Sequence, residues 1–153
     1  MPTAGYHLLD TNVLLHWLRG SKVCETIDGQ FQLTASSFRP LICEVTLGEI
    51  EAFAMSSKWG DERRRKLAEL KTKLVVVDLS DDRIMKAYAE FSTLAKEQGL
   101  AIFHDKNDLW IAAATKVSGA TVLTTDGKAF LALRDGKHLD AIVLDPQTGW
   151  RIP

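Results

Sequence analysis

Short apolar runs of strand type recur along this chain, each followed by a longer segment of helical periodicity. That alternation restricts it to α/β architecture with a mostly parallel sheet. Residues 6–9 (YHLL) form the first run, which stops at Asp10. Residues 11–18 then place Val13, Leu14, Trp17 and Leu18 at helical spacing, and Gly20 and Ser21 punctuate. Residues 22–27 suit a second short helix, 40–43 a short strand or extended entry, and 46–57 a helix with Leu47, Ile50 and Ala54 on one face. A highly charged helix is predicted over 61–74, and the β-branched run 74–79 (LVVVDL) reads as a buried strand. A helix over 80–98 has Asp81 and Asp82 in its first turn and Gly99 past its end. Helix 107–117, strand 120–124, helix 128–134 and strand 141–144 complete the pattern. The 153 residues suit one domain, with a core that needs no disulfide or metal staple.

In such sheets ligands bind beyond the carboxyl ends of the strands, at the point where strand order reverses. Two acids sit there by sequence. Asp10 follows the first strand and Asp126 follows the 120–124 strand. Glu49 and Asp108 fall in the first turns of predicted helices. Each acid also has an ordinary structural role open to it. Asp10 and Asp126 suit helix N-caps. Thr46 and Glu49 have the T-x-x-E spacing of a capping box, and Asp108 complements a helix dipole. Capping does not explain why all four would gather at one end of a sheet. If they do, two carboxylates about 5 Å apart repel by roughly 3 kcal/mol at an effective dielectric of 20. A cation relieves that repulsion, and an all-oxygen ligand set selects Mg²⁺ or Mn²⁺. A hard ion with retained waters suits hydrolysis of a phosphodiester.

The segments LLDTNVLLHWLRG (8–20), CEVTLGEIEAF (43–53), NDLWIAAAT (107–115) and VLTTDGKAF (122–130) together resemble the PIN-domain family, above all its VapC-like toxins. The resemblance runs in family order over nearly the whole chain. It implies a three-layer α/β/α domain over residues 1–153 with a central sheet of four to five strands. It also implies a ribonuclease whose metal-binding acids are Asp10, Glu49, Asp108 and Asp126. Thr124 would support the site by hydrogen bonding, and Asn12 would orient a carboxylate or water. Such enzymes are typically homodimers, and VapC-like members are inhibited by a small antitoxin. A catalytically silent PIN module, or a solitary nuclease without antitoxin, stays open beside that reading. A phosphatase would want D-x-D-x-T, whereas Asp10 is followed by Thr11 and Asn12.

Other features carry less. Net charge is −1, so nucleic-acid binding would need a local patch. Arg63, Arg64, Arg65 and Lys66 form the densest basic run, which suits phosphate contact or a solvated face paired with Asp61, Glu62 and Glu69. Glu51 should face away from Glu49. Asp105 suits a capping carboxylate, and His104 a loop position. Trp17 and Trp110 fit packing, while Trp59, beside Gly60, is the better candidate for an exposed stacking surface. Cys24 and Cys43 form no CxxC pair. With no leader segment or membrane-length apolar run in view, two free thiols point to the cytoplasm.

Overall fold

The computed structural model describes residues 5–35 and 37–153. The predicted domain span of 1–153 also includes residues 1–4 and 36, which lie outside the described residues. The chain runs β1 (His7–Leu9), α1 (Thr11–Arg19), α2 (Lys22–Phe31), β2 (Leu41–Cys43), α3 (Glu44–Ser56) and α4 (Asp61–Lys71). It continues with β3 (Val75–Val77), α5 (Asp82–Gln98), a 3₁₀ turn (Ala101–His104), α6 (Lys106–Ser118), β4 (Thr121–Thr124), α7 (Gly127–Asp135), β5 (Asp140–Leu144) and β6 (Arg151–Ile152). Strand order is β3-β2-β1-β4-β5-β6, with five strands parallel and β6 antiparallel to β5. The sheet therefore has six strands rather than the four or five predicted.

Side-chain alternation along these short strands makes the three layers. Leu8, Leu41, Val122 and Ala141 face a cluster built with Phe91 of α5, Leu109 and Ile111 of α6, and Phe130 of α7. Their neighbours Leu9, Ile42, Leu123 and Ile142 face the opposite cluster, with Val13 of α1, Ile27 of α2, Ile50 of α3 and Leu67 of α4. A period of two thus divides α5–α7 from α1–α4 across the sheet. Among the described residues no helix is long and apolar enough to cross a membrane.

Two predictions about strands need correction. The run 74–79 yields a strand of only three residues, and it lies at the sheet edge with Val75 and Val76 43% and 41% exposed. β-branching favours an extended backbone but does not say whether the strand ends up central or at an edge. β6 was not foreseen because two residues carry no periodicity. It is held from outside: Gln30 Nε2 donates to Gly149 O at 2.7 Å, and Arg151 N donates to Gln30 Oε1 at 3.2 Å. Gly149 makes this approach feasible. Its φ is +82°, and an added Cβ would lie 2.6 Å from the Val23 carbonyl oxygen. Gly149→Ala is expected to cost about 2–3 kcal/mol, seen as a fall in Tm of about 5–10 °C; an unchanged Tm would refute that packing.

Candidate active site

Strands β1 and β4 are adjacent at the centre, where strand order reverses. Asp10 leaves β1 with its backbone N–H still donating to Leu123 O of β4, at 3.0 Å. Its carboxylate is 3% exposed and fully bonded. Oδ1 accepts from Thr11 N at 2.8 Å, the N-cap bond of α1. Oδ2 accepts from Thr124 Oγ1 at 2.7 Å and Asn12 Nδ2 at 3.1 Å. Burial pushes the Asp10 carboxyl up to about 6 against the pull of these donors, and the Glu49 charge adds to the rise. Capping and the acid site are thus not alternatives for this residue, since one oxygen caps while both share the buried charge.

Thr124 links two acids. Its hydroxyl donates to Asp10 and accepts from Asp126 N at 2.9 Å. Asn12 spans the same two strands, since its Oδ1 accepts from Thr125 N at 3.0 Å. Asp126 Oδ1 accepts from Lys128 N at 3.1 Å and caps α7. Thr124 and Asn12 thus lie between Asp10 and the start of α7.

The capping box at Thr46 does not form. Helix α3 begins at Glu44, with Cys43 as an N-cap that makes no side-chain bond. Thr46 lies inside the helix and is fully buried. Glu49 is therefore free of a capping duty, and its Oε1 accepts instead from Thr11 Oγ1 at 2.8 Å. Thr46 Oγ1 lies 3.1 Å from the same hydroxyl. Thr11 has one hydroxyl proton, which serves the carboxylate; the Thr46 proton then serves Thr11. Sequence reasoning passed over Thr11 and Thr46 as partners. The available signal was a hydroxyl directly after Asp10. Thr11→Val is expected to leave the fold intact, lower stability by about 1–2 kcal/mol through the orphaned Thr46 hydroxyl, and cut any turnover at the acid site roughly tenfold through the loosened Glu49. Turnover equal to wild type would remove Thr11 from the site.

Asp108 is in the first turn of α6, but the cap is Asp105, whose Oδ1 accepts from Asn107 N at 3.1 Å and Asp108 N at 3.2 Å. No described residue donates to the Asp108 carboxylate. Burial, then the charges of Asp10, Asp105, Asp126 and Glu49 in that order, push it up to about 8. Asp10, Glu49, Asp108 and Asp126 therefore share one electrostatic neighbourhood, drawn from both helical layers and both central strands. Asp105 adds its charge to that neighbourhood while capping α6, and Glu51 and Glu44 are engaged elsewhere. Glu51 pairs with Arg64 at 3.3 Å, and Glu44 accepts from Leu79 N. His104 packs edge-on against Phe103 and makes no hydrogen bond to the acids among the described residues.

Four carboxylates in one field, without a cation from the chain, define what this place can hold. The ion pairs among the described residues are Arg64–Glu51, Lys66–Glu62, Arg83–Asp81 and Arg134–Asp135, and none touches the four acids. Nor do any three His, Cys, Asp or Glu side chains close into a cage around one point among the described residues. An oxygen-only, open set fits Mg²⁺ or Mn²⁺, which keep waters and take only one or two carboxylates. Thiolate chemistry is disfavoured, because burial pushes Cys24 and Cys43 each up to about 11. The basic run lies on α4, exposed, with Arg64 and Lys66 paired as above and Arg63 5.9 Å from the Trp59 ring centroid. Trp59 is not the exposed platform predicted: it packs against Phe53 and the α1–α4 core, and its indole N–H is buried without a partner.

Comparison with known proteins bears on this geometry. The PIN domain family model matches residues 7–135. No curated protein sequence matches significantly. Among solved structures, a chain of VapBC2 from Rickettsia felis, bound to a DNA fragment from their promoter, aligns with TM-score 0.73 and 22% identity over 89% of this chain and 96% of that one. VapBC-1 from nontypeable Haemophilus influenzae gives 0.72 and 23% over 89% and 96%. VapBC-5 from Mycobacterium tuberculosis, a member of the VapBC family of toxin–antitoxin systems, gives 0.66 and 24% over 92% and 99%. At these identities the likeness is one of fold.

Proposed function

The chain belongs to the PIN-domain family, and from that premise we propose that it is a Mg²⁺- or Mn²⁺-dependent endoribonuclease of the VapC-like toxin kind. The observation that carries the proposal is the shared field of Asp10, Glu49, Asp108 and Asp126, which raises Asp10 and Asp108 and meets no ion-paired cation among the described residues. These four residues would hold the ion. Bound there, it would acidify a water and stabilise charge on the scissile phosphate.

The chain's own part is positioning. Thr124, Asn12 and the Thr11 N–H fix both oxygens of Asp10. The Thr11 hydroxyl fixes Glu49. Among the described residues nothing donates to the Asp108 carboxylate, which leaves it free to turn toward a newly bound ligand. Arg63, Arg64, Arg65 and Lys66 are the proposed sequence-blind contacts to the RNA backbone. A small antitoxin is the proposed partner, in keeping with the toxin–antitoxin complexes that share this fold. A homodimer in the cytoplasm, with residues 1–153 as one nuclease domain, completes the reading.

The test is cleavage of single-stranded RNA by the purified protein with Mg²⁺ or Mn²⁺, with chelator, and with the ion restored. Cutting that stops on chelation and returns with the ion is expected. Cutting that persists in chelator overturns the mechanism. Tight RNA binding with no cutting under any ion favours a silent PIN module instead.

A further inference from the structure

Helix α5 buries one face and leaves the other bare. Ile84, Ala87, Phe91 and Ala95 are its buried residues, at helical spacing, and they pack into the core with α6. On the far side Lys86, Ala89, Glu90, Thr93, Leu94 and Glu97 line a shallow depression of about 400 Å³. Leu94 is partly buried and the other five are exposed. Met85, one turn before Ala89, is 47% exposed. Lys86, Glu90 and Glu97 enter none of the ion pairs among the described residues, although Lys86 and Glu90 stand one turn apart. The Thr93 hydroxyl makes no hydrogen bond among the described residues, whereas Thr115 of α6 bonds back to Ile111 O at 2.8 Å. The polar groups of this stripe are thus left without partners inside the chain.

We propose that this face of α5 docks on the same face of a second copy of the chain, the two helices running antiparallel about a two-fold axis between Phe91 and Ser92. The inference gives a surface to the homodimer of the preceding reading and needs nothing from its nuclease chemistry. Charge decides the direction. The stripe carries lysine at its start and glutamate at its end. Antiparallel pairing about that axis sets Lys86 opposite Glu97 of the partner subunit, and symmetry repeats the pair at the other end. Parallel pairing would set lysine on lysine and glutamate on glutamate. Between the two ion pairs, Ala89 faces Leu94 of the partner subunit. Glu90 faces Thr93 of the partner subunit, whose hydroxyl can donate to that carboxylate. Alanine and threonine are small, so the helix axes can approach to about 8 Å. The 17 residues of α5 span about 25 Å. One helix pair of that length buries less than a standard interface, so the dimer is a weak one, with Kd on the order of 10 µM.

The experiment is sedimentation equilibrium over about 1–100 µM protein, a range that brackets that Kd. It compares wild type, Lys86→Glu, Glu97→Lys, the double variant Lys86→Glu/Glu97→Lys, and Lys71→Glu, which changes an exposed lysine of α4 instead. The wild type is expected to dimerise, and more weakly as salt is added. Each single reversal sets like charges opposite each other at both ends of the stripe and should raise Kd about tenfold or more. The double reversal re-forms both pairs in the opposite sense and should bring Kd back to within about threefold of wild type. Lys71→Glu should match wild type. A wild type that stays monomeric up to about 100 µM overturns the inference and the homodimer reading together. A wild-type dimer that both single reversals leave unchanged, or that the double reversal does not restore, overturns this surface and leaves the homodimer reading standing.

Discussion

Asp10→Asn is expected to reduce RNA cleavage by about a thousandfold or more while leaving the protein folded. Asn keeps an oxygen to accept from Thr11 N or Thr124 Oγ1, so the β1–β4 junction retains most of its bonds. It removes a charge whose burial is unfavourable, which offsets the mismatch of its amide with Asn12 Nδ2. What disappears is the anionic oxygen nearest the strand junction, and with it the attraction for a divalent ion. Cleavage rates and thermal melts on the same preparations check this. A variant within tenfold of wild type would place the chemistry elsewhere, and one that fails to melt cooperatively would show that Asp10 is needed for folding.

Asp108→Asn separates stability from activity in the opposite direction. The ordinary value for this group is 3.8, and the folded chain raises it to about 8. Between those two pH values the folded state binds more protons than the unfolded one, so stability falls as pH rises and the loss is complete above pH 8. Asparagine has no proton to lose. In chelator the variant should therefore match wild type below about pH 4 and exceed it increasingly up to pH 8. The carboxyl has partial contact with water, which screens the effect, so the gain is on the order of 1–3 kcal/mol, or about 3–8 °C. Added Mg²⁺ should raise the wild-type Tm at pH 8 more than the variant's, because only the wild type has this repulsion to relieve. Cleavage should fall about a hundredfold or more. A variant less stable than wild type at pH 8 would contradict the crowding of charge at this site.

Much of this arrangement was legible in the residues. Asp10 and Asp126 follow apolar strands, and parallel sheets carry their chemistry at strand ends, so both were placed by a rule that needs no partner information. Helix ends were legible where glycine follows the helix, as at Gly20, Gly99 and Gly119, all with positive φ. The start of α3 was misread because T-x-x-E spacing fits a capping box, while the helix begins two residues earlier and buries Thr46. The Thr11–Glu49 bond joins positions 38 apart, and no local pattern announces it. The exposure of β3 was hidden for a similar reason: a sheet edge is defined by which strand is missing beside it.

The four acids are not carried on one rigid element. Asp10 and Asp126 follow neighbouring strands and are tied through the Thr124 hydroxyl and the Asn12 amide. Glu49 rides on a helix of one outer layer and Asp108 on a helix of the other. Under the proposed metal-dependent reading, ion affinity would act as a gauge of layer spacing. A slip of either layer by an ångström, too slight to expose the core, would pull one carboxylate out of register. Heat should silence such a site before it melts the molecule, and anything that wedges the two layers apart would act as an inhibitor without ever touching an acid.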